Sequence, residues 1–240
     1  MRALALLLVV AACQNNGGDD DYPIIPSGDD TTIGPPGDAA VIDAGVVDGG
    51  NVIEGRVCLL IDPRNLTTCA PMGAGGLAVV IGTESALTGD TGAFTIPTPD
   101  GSNLVWRVTG EGIVPSVMAL SSMPLIPAFT TADYAELQLD NGILPDPTQG
   151  AIFTRILQNG QPLANAVATA SPSGTETTLY DSNNPNLWNE GATGALGVAW
   201  LPGLGAGATT VTVTPPEGAD VAALVPVEQG SVTFATIVVP

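Results

Sequence analysis

The sequence predicts an all-β protein: two β-sandwiches in tandem behind a signal segment and an acidic tether. Three observations predict it. Only 12% of the 240 residues are charged against 45% hydrophobic, and 30 Gly and 21 Pro punctuate the chain. Such a composition suits short strands joined by many turns. Apolar runs of strand length recur roughly every ten residues between turn residues. The second half of the chain also repeats the turn signature of the first.

The chain begins with one basic residue, Arg2, then an apolar run, then small residues before Cys13. This is the layout of a secretory signal over residues 1–12. The run is too short for a bilayer span, which needs about 20 apolar residues. The ending Val10-Ala11-Ala12-Cys13 resembles the lipobox of bacterial lipoproteins. That resemblance implies a lipidated Cys13 as the first mature residue and a membrane partner held through lipid. Gln14, in place of an Asp, leans toward the outer membrane within that family. The plainer alternative is a short cleaved signal with an incidental cysteine.

Residues 13–50 read as a disordered tether. Residues 14–50 carry Asp19, Asp20, Asp21, Asp29, Asp30, Asp38, Asp43 and Asp48 and no basic residue. Low hydrophobicity with charge of one sign cannot offset the entropy of ordering. As a flexible coil the segment spans roughly 35 Å. A calcium site at Asp19-Asp20-Asp21 is disfavoured, because a mobile run lacks a preset oxygen cage.

From residue 51 the texture changes. Val52-Ile53-Glu54-Gly55-Arg56-Val57-Cys58-Leu59-Leu60-Ile61, Leu77-Ala78-Val79-Val80-Ile81, Ala93-Phe94-Thr95-Ile96 and Leu104-Val105-Trp106-Arg107-Val108-Thr109 all read as strands. Tyr134-Ala135-Glu136-Leu137-Gln138-Leu139 alternates with period two and reads as a half-buried strand. No helix of useful length is predicted.

The repeat is the strongest structural signal. Thr88-Gly89-Asp90-Thr91-Gly92 matches Thr193-Gly194-Ala195-Leu196-Gly197, and Pro97 matches Pro202. The β run over 104–109 matches Thr209-Thr210-Val211-Thr212-Val213-Thr214. This divides the chain into sandwiches at 51–145 and 146–240, with Pro145-Asp146-Pro147 as the joint. The paired glycines suit a hairpin turn with positive φ. Phe94 and Ile96 should then face the core. In the second copy Ala199 takes the Phe94 position, so Trp200 falls on the outward face. A bulge would return it to the core; otherwise it is exposed. Burial is favoured, because large aromatics usually fill cores.

Gly55-Arg56-Val57, Gly75-Gly76-Leu77-Ala78-Val79-Val80, the 88–96 segment and their second-copy counterparts resemble the carboxypeptidase regulatory-like domain. That resemblance implies an Ig-like or transthyretin-like β-sandwich, with no catalytic residues to carry over. The strand Pro162-Leu163-Ala164-Asn165-Ala166-Val167 also resembles one in other bacterial surface Ig-like and collagen-adhesin stalk repeats.

If Cys13 is lipidated, an even pair of cysteines remains, Cys58 and Cys69. A disulfide between them is expected in an oxidising compartment. A metal pair is the alternative, disfavoured because the chain has no histidine and no other cysteine. No metal or cofactor is expected.

The formal charge is −19. All five basic residues are arginines, and Arg2 leaves with a signal that carries no acid. The remaining four against 24 acids give −20. Such a surface repels phosphate backbones and excludes nucleic acid as a partner. It also disfavours docking on anionic headgroups.

No acyl-transfer site is expected without His or Lys as base. Carboxylate pairs could hydrolyse glycosides, but Glu84, Asp90, Asp181 and Glu190 form no motif, and a hydrolase stays a remote reading. The best candidate surface site is the 181–190 loop, with Asp181, Asn183, Asn186, Trp188 and Glu190 as candidate ligands. Its oxygens suit calcium and its indole a sugar ring. The plainer reading is a polar loop pinned to the core by Leu187 and Trp188. The expected role is binding or structural, at the envelope, toward an unknown envelope protein or a glycan. A calcium- or carbohydrate-dependent adhesion module is the rival.

Overall fold

The computed structural model describes residues 51–240, except 103, 120–123 and 183–187. The signal, Cys13 and the tether lie outside the described residues.

In the first half the strands are β1 (Val52–Leu59), β2 (Ala78–Ile81), β3 (Glu84–Leu87), β4 (Ala93–Pro97), β5 (Val105–Thr109), β6 (Ser116–Ala119) and β7 (Leu125–Ala128), followed by helix α1 (Thr131–Asp140). The second half supplies β8 (Gly150–Gln158), β9 (Gln161–Pro162), β10 (Val167–Ser171), β11 (Leu179–Asp181), β12 (Trp188–Asn189), β13 (Val198–Leu204), β14 (Gly207–Thr214), β15 (Val221–Val227) and β16 (Val232–Val239). The protein is a nearly all-β structure of sandwiched sheets.

One ten-stranded sheet runs through both halves in the order β12-β11-β13-β8-β16-β6-β5-β2-β3, with β9 paired to β8. Two three-stranded sheets, β4-β1-β7 and β10-β14-β15, complete the sandwiches. The halves join where β16 lies parallel to β6 on one side and to β8 on the other.

The pairing sets a row of large side chains across this sheet. Trp106 lies opposite Met118, Met118 opposite Phe234, Phe234 opposite Phe153, and Phe153 opposite Trp200. Residues paired across strands point to the same face. The whole row therefore shares one face of the sheet.

Three apolar clusters follow from this geometry. The first lobe's core packs Ile53, Val57, Phe94, Ile96 and Ile126 against Val79, Ile81, Trp106 and Val108. The second lobe's core packs Ile152, Ile156, Ala199, Leu201 and Ile237 against Ala168, Val211, Val213 and Val225. The third lies between the lobes and gathers Phe129, Ile143, Leu60, Leu66 and Cys58 of the first half onto Phe153, Val198, Trp200, Val232 and Phe234 of the second. Strand β13 is thus buried on both faces, and Val198, Ala199, Trp200 and Leu201 are all inaccessible.

This resolves Trp200 without a bulge. The pairing of β13 with β8 is regular from Val198 to Leu201 and shifts only beyond it. Trp200 does point away from its own lobe's core. The first half covers it, so it is fully buried.

Residues 134–139 are helical, which corrects the strand predicted there. Thr130 caps the helix, its hydroxyl accepting from the Asp133 amide at 3.0 Å. Asn141 and Gly142 close it, with the Ile143 amide returning to the Gln138 carbonyl at 2.8 Å and Gly142 at φ +73°. Tyr134 and Leu137, three residues apart, pack against the shared core, whereas Leu139 is 60% exposed. The apparent period of two was the accident of a third apolar residue on the solvent side. Local capping and good helix formers decided the outcome.

The repeat is preserved in atomic detail. The Thr88 hydroxyl accepts from the Leu77 amide at 2.9 Å and donates to the Ala74 carbonyl. The Thr193 hydroxyl accepts from the Ala166 amide at 2.9 Å and donates to the Leu163 carbonyl at 2.7 Å. Backbone bonds accompany each: Thr88 N to Leu77 O and Gly76 N to Thr88 O, matched by Thr193 N to Ala166 O and Asn165 N to Thr193 O. Gly76 and Asn165 both take positive φ.

The second glycine of each signature is equally constrained. Gly92 and Gly197 lie at φ +82° and +66° and accept from the Val57 and Ile156 amides. A Cβ at Gly197 would stand 2.7 Å from the Ile156 carbonyl oxygen, and one at Gly92 would strike that of Val57. The repeated pattern is a clamp that seals a turn onto the first strand of each lobe. Only the second glycine of each pair has the positive φ predicted for both.

Candidate functional site

The 181–190 loop divides into parts with different duties. Asp181 ends β11 and is fully buried. Its carboxylate accepts from the amides of Gly194, Leu196 and Val198 at 3.0, 2.8 and 2.7 Å. Both oxygens are therefore engaged in holding the turn that carries the second clamp. A buried carboxylate so bonded is a structural anchor, which corrects its candidacy as a surface ligand.

Trp188 is half-buried. Its ring meets Phe153 edge-on at 5.7 Å and Trp200 at 5.5 Å between centroids. It extends the aromatic part of the shared core, and its pairing partner on β11 is Asp181. Glu190 is exposed. Asn183, Asn186 and Leu187 lie outside the described residues. The structure thus brings Trp188 to the core edge and Asp181 into the interior, and does not converge them on one ligand position.

Cys58 and Cys69 form a disulfide. Cys58 is fully buried in the shared core, and the loop it closes contributes Leu60 and Leu66 to that core. The bond fastens a cover of the second lobe's outer sheet face. The loop is also held by Asp62, whose carboxylate pairs with Arg64 at 2.8 Å.

One tyrosine ties two layers together. The Tyr180 hydroxyl accepts from the Ala168 amide and donates to the Ala168 carbonyl, each at 3.0 Å. It thereby links the large sheet to β10, at the edge of the second lobe's small sheet. Burial raises its pKa, with the backbone bond to Ala168 opposing. Burial likewise pushes the Tyr134 hydroxyl well above the ordinary tyrosine range. At the joint, Asp146 accepts from the Thr148 hydroxyl and amide at 2.7 and 2.8 Å, and these bonds lower its pKa.

Among the described residues no group of three or more His, Cys, Asp or Glu converges to hold a metal ion. No described helix is long and apolar enough to cross a membrane.

Composition had drawn attention to the acids, yet the arginines are the scarcer charge. The Arg56 guanidinium donates to the carbonyls of Thr91, Ala70 and Pro71. Arg107 pairs with Glu228 at 2.6 Å, an exposed tie between the halves. The side chain of Arg155, on β8, has no hydrogen-bond or ion-pair partner among the described residues and lines a cleft. The strand pattern gave no signal for this residue, because the cleft is made by elements distant in sequence.

No known protein family matches the chain, and no curated protein is similar to it in sequence. Several solved structures are similar in outline. The minor pilin GBS52 of Streptococcus agalactiae is 12% identical, with 80% of this chain and 97% of the pilin aligned and a TM-score of 0.28. The TIE protein of Bacillus anthracis is 12% identical over 78% of this chain and 34% of its own, with a TM-score of 0.27. The shaft pilin SpaA of Lactobacillus rhamnosus GG is 12% identical over 78% and 96%, with a TM-score of 0.24.

Proposed function

We propose that this chain is a lipid-anchored protein of the cell envelope with a structural or binding role and no catalysis. The observation that carries the structural role is the single large sheet shared by both lobes. A sheet continuous across the joint, sealed by a third core and a disulfide, makes a head whose lobes resist bending. Such a body suits a spacer or scaffold better than a hinged pair of modules. The lipobox-like ending at Cys13 supports the anchor, and the acidic run over 14–50 supports a tether holding the head away from the bilayer. Gln14 favours the outer membrane. The disulfide fits an oxidising compartment. The resemblance of each repeat to carboxypeptidase regulatory-like domains agrees with a non-catalytic module. The calcium-dependent rival loses its first ligand, because Asp181 is committed to three backbone amides.

The test is lipid labelling with membrane fractionation of the wild type and Cys13→Ser. Labelled, membrane-bound wild type and unlabelled, released mutant are expected. An unlabelled wild type in the soluble fraction would overturn the anchor. If the wild type is labelled and membrane-bound, crosslinking at the membrane identifies the envelope protein or glycan that the head meets.

A further inference from the structure

The aromatic row that fills the shared core ends before the sheet does. On the face that carries Phe153, Trp200 and Phe234, the next positions are Arg155 and Thr236, paired with each other across β8 and β16. The cover from the first half diverges from the sheet here. It leaves a cleft of about 370 Å³, bounded by Leu66, Leu125 and Pro127 on the first-half side and floored by Phe234, with Arg155 and Thr236 at its edge. This volume is in the range of small-ligand sites. Residues 120–123, between β6 and β7, lie outside the described residues, and no part of the cleft is assigned to them.

Arg155 is half-buried there, and its guanidinium is unpaired among the described residues. The chain carries 24 acids and five arginines, so a guanidinium with no partner of any kind among the described residues is the unexpected arrangement. The other arginines of the described residues are all engaged. A guanidinium over apolar walls presents a forked donor that matches a carboxylate. The net charge of −19 opposes multiply charged anions at long range. A single negative charge on an apolar body meets both conditions: the walls take the body and Arg155 takes the charge.

We propose that this cleft binds a small amphiphile bearing one carboxylate, of the medium-chain fatty acid class, with Arg155 as its anchor. The proposal does not depend on the envelope role. It can fail while the anchor stands, because its test uses the full chain with Cys13→Ser, in which the protein's own acyl chains cannot compete.

Titration calorimetry with octanoate and with octanol separates the contributions. Octanoate is expected to bind saturably and octanol far more weakly. Arg155→Gln should weaken octanoate binding roughly ten- to hundredfold, the usual loss for a hydrogen bond to a charged group. Arg155→Lys, which keeps the charge and loses the fork, should fall between. Thr236→Phe, at an exposed position on the cleft edge, should block octanoate while leaving Arg155 and the near-ultraviolet circular dichroism intact. No saturable octanoate binding at millimolar concentration overturns the proposal. So does equal binding of octanoate and octanol, or an Arg155→Gln protein, folded by its dichroism, that binds octanoate as the wild type does. Those outcomes would mean that the Arg155 stem merely covers the edge of the core.

Discussion

Trp106 and Trp200 stand in one row across the same sheet, and both are fully buried. Trp106 is buried by its own lobe, where it meets Phe94 at 5.5 Å between ring centroids. Trp200 faces away from its own lobe's core and is buried by the other half of the chain, with Phe153 stacked on it at 5.4 Å. The first is therefore a core residue of a sandwich, and the second a core residue of the junction. Copies of one module need not function alike once a sheet is shared. The outer face of one copy becomes interior because the other copy supplies its cover.

The largest expected effect tests that distinction. Trp200→Ala should cost about 3–5 kcal/mol, and so should Trp106→Ala, since both remove a large buried aromatic. Their consequences should differ. In urea unfolding, Trp200→Ala is expected to broaden or split the transition, because it removes cohesion between lobes. Trp106→Ala should weaken the first lobe while the junction stays packed. A Trp200→Ala protein losing less than about 1 kcal/mol, with a single sharp transition, would break the comparison.

The next effect concerns a difference between the two clamps. Among the described residues only the second has a buried carboxylate behind it: Asp181 holds three amides of the turn from Gly194 to Val198. Asp181→Ala strands these donors in a largely buried site and should cost about 3 kcal/mol. Asp181→Asn retains one acceptor oxygen and should recover part of that. Urea denaturation reads both. A neutral Asp181→Ala would return the residue to the pool of surface ligands.

Much of this arrangement was legible in the sequence, and the limits have physical causes. Strands β1, β2, β4 and β5, the repeat and the disulfide pair follow from local pattern and cysteine arithmetic, whereas the short strands β3, β6 and β7 carry too few residues to stand out. Thr88 and Thr193 were visible as matched letters, but their bonds join segments 11 to 30 residues apart and emerge only in the fold. Helix α1 is hidden in the sequence because Ala135, Leu137 and Leu139 alternate as a strand would, and the partial burial of Tyr134 and Leu137 is decided by the junction. Asp181 looked like a ligand because oxygen-rich loops serve both ligands and turns. Sequence does not say which oxygens already have donors. The double-sided burial of β13 was illegible for the same reason, since it depends on what the other half brings to that face.

The smallest effect is also the closest test of equivalence. Thr88→Val and Thr193→Val replace a buried hydroxyl by a methyl of similar size. Each leaves one amide and one carbonyl without that partner: Leu77 and Ala74 in the first lobe, Ala166 and Leu163 in the second. Each should cost about 1–2 kcal/mol. Because the hydrogen bonds match one for one, the two losses should agree within about 0.5 kcal/mol, and the double variant should lose their sum. Additivity would mean that each clamp serves its own lobe, while coupling resides in the junction around Trp200. A double variant departing from the sum by more than about 1 kcal/mol would mean that the clamps communicate. The shared core would then carry strain from one lobe to the other as well as hold them together.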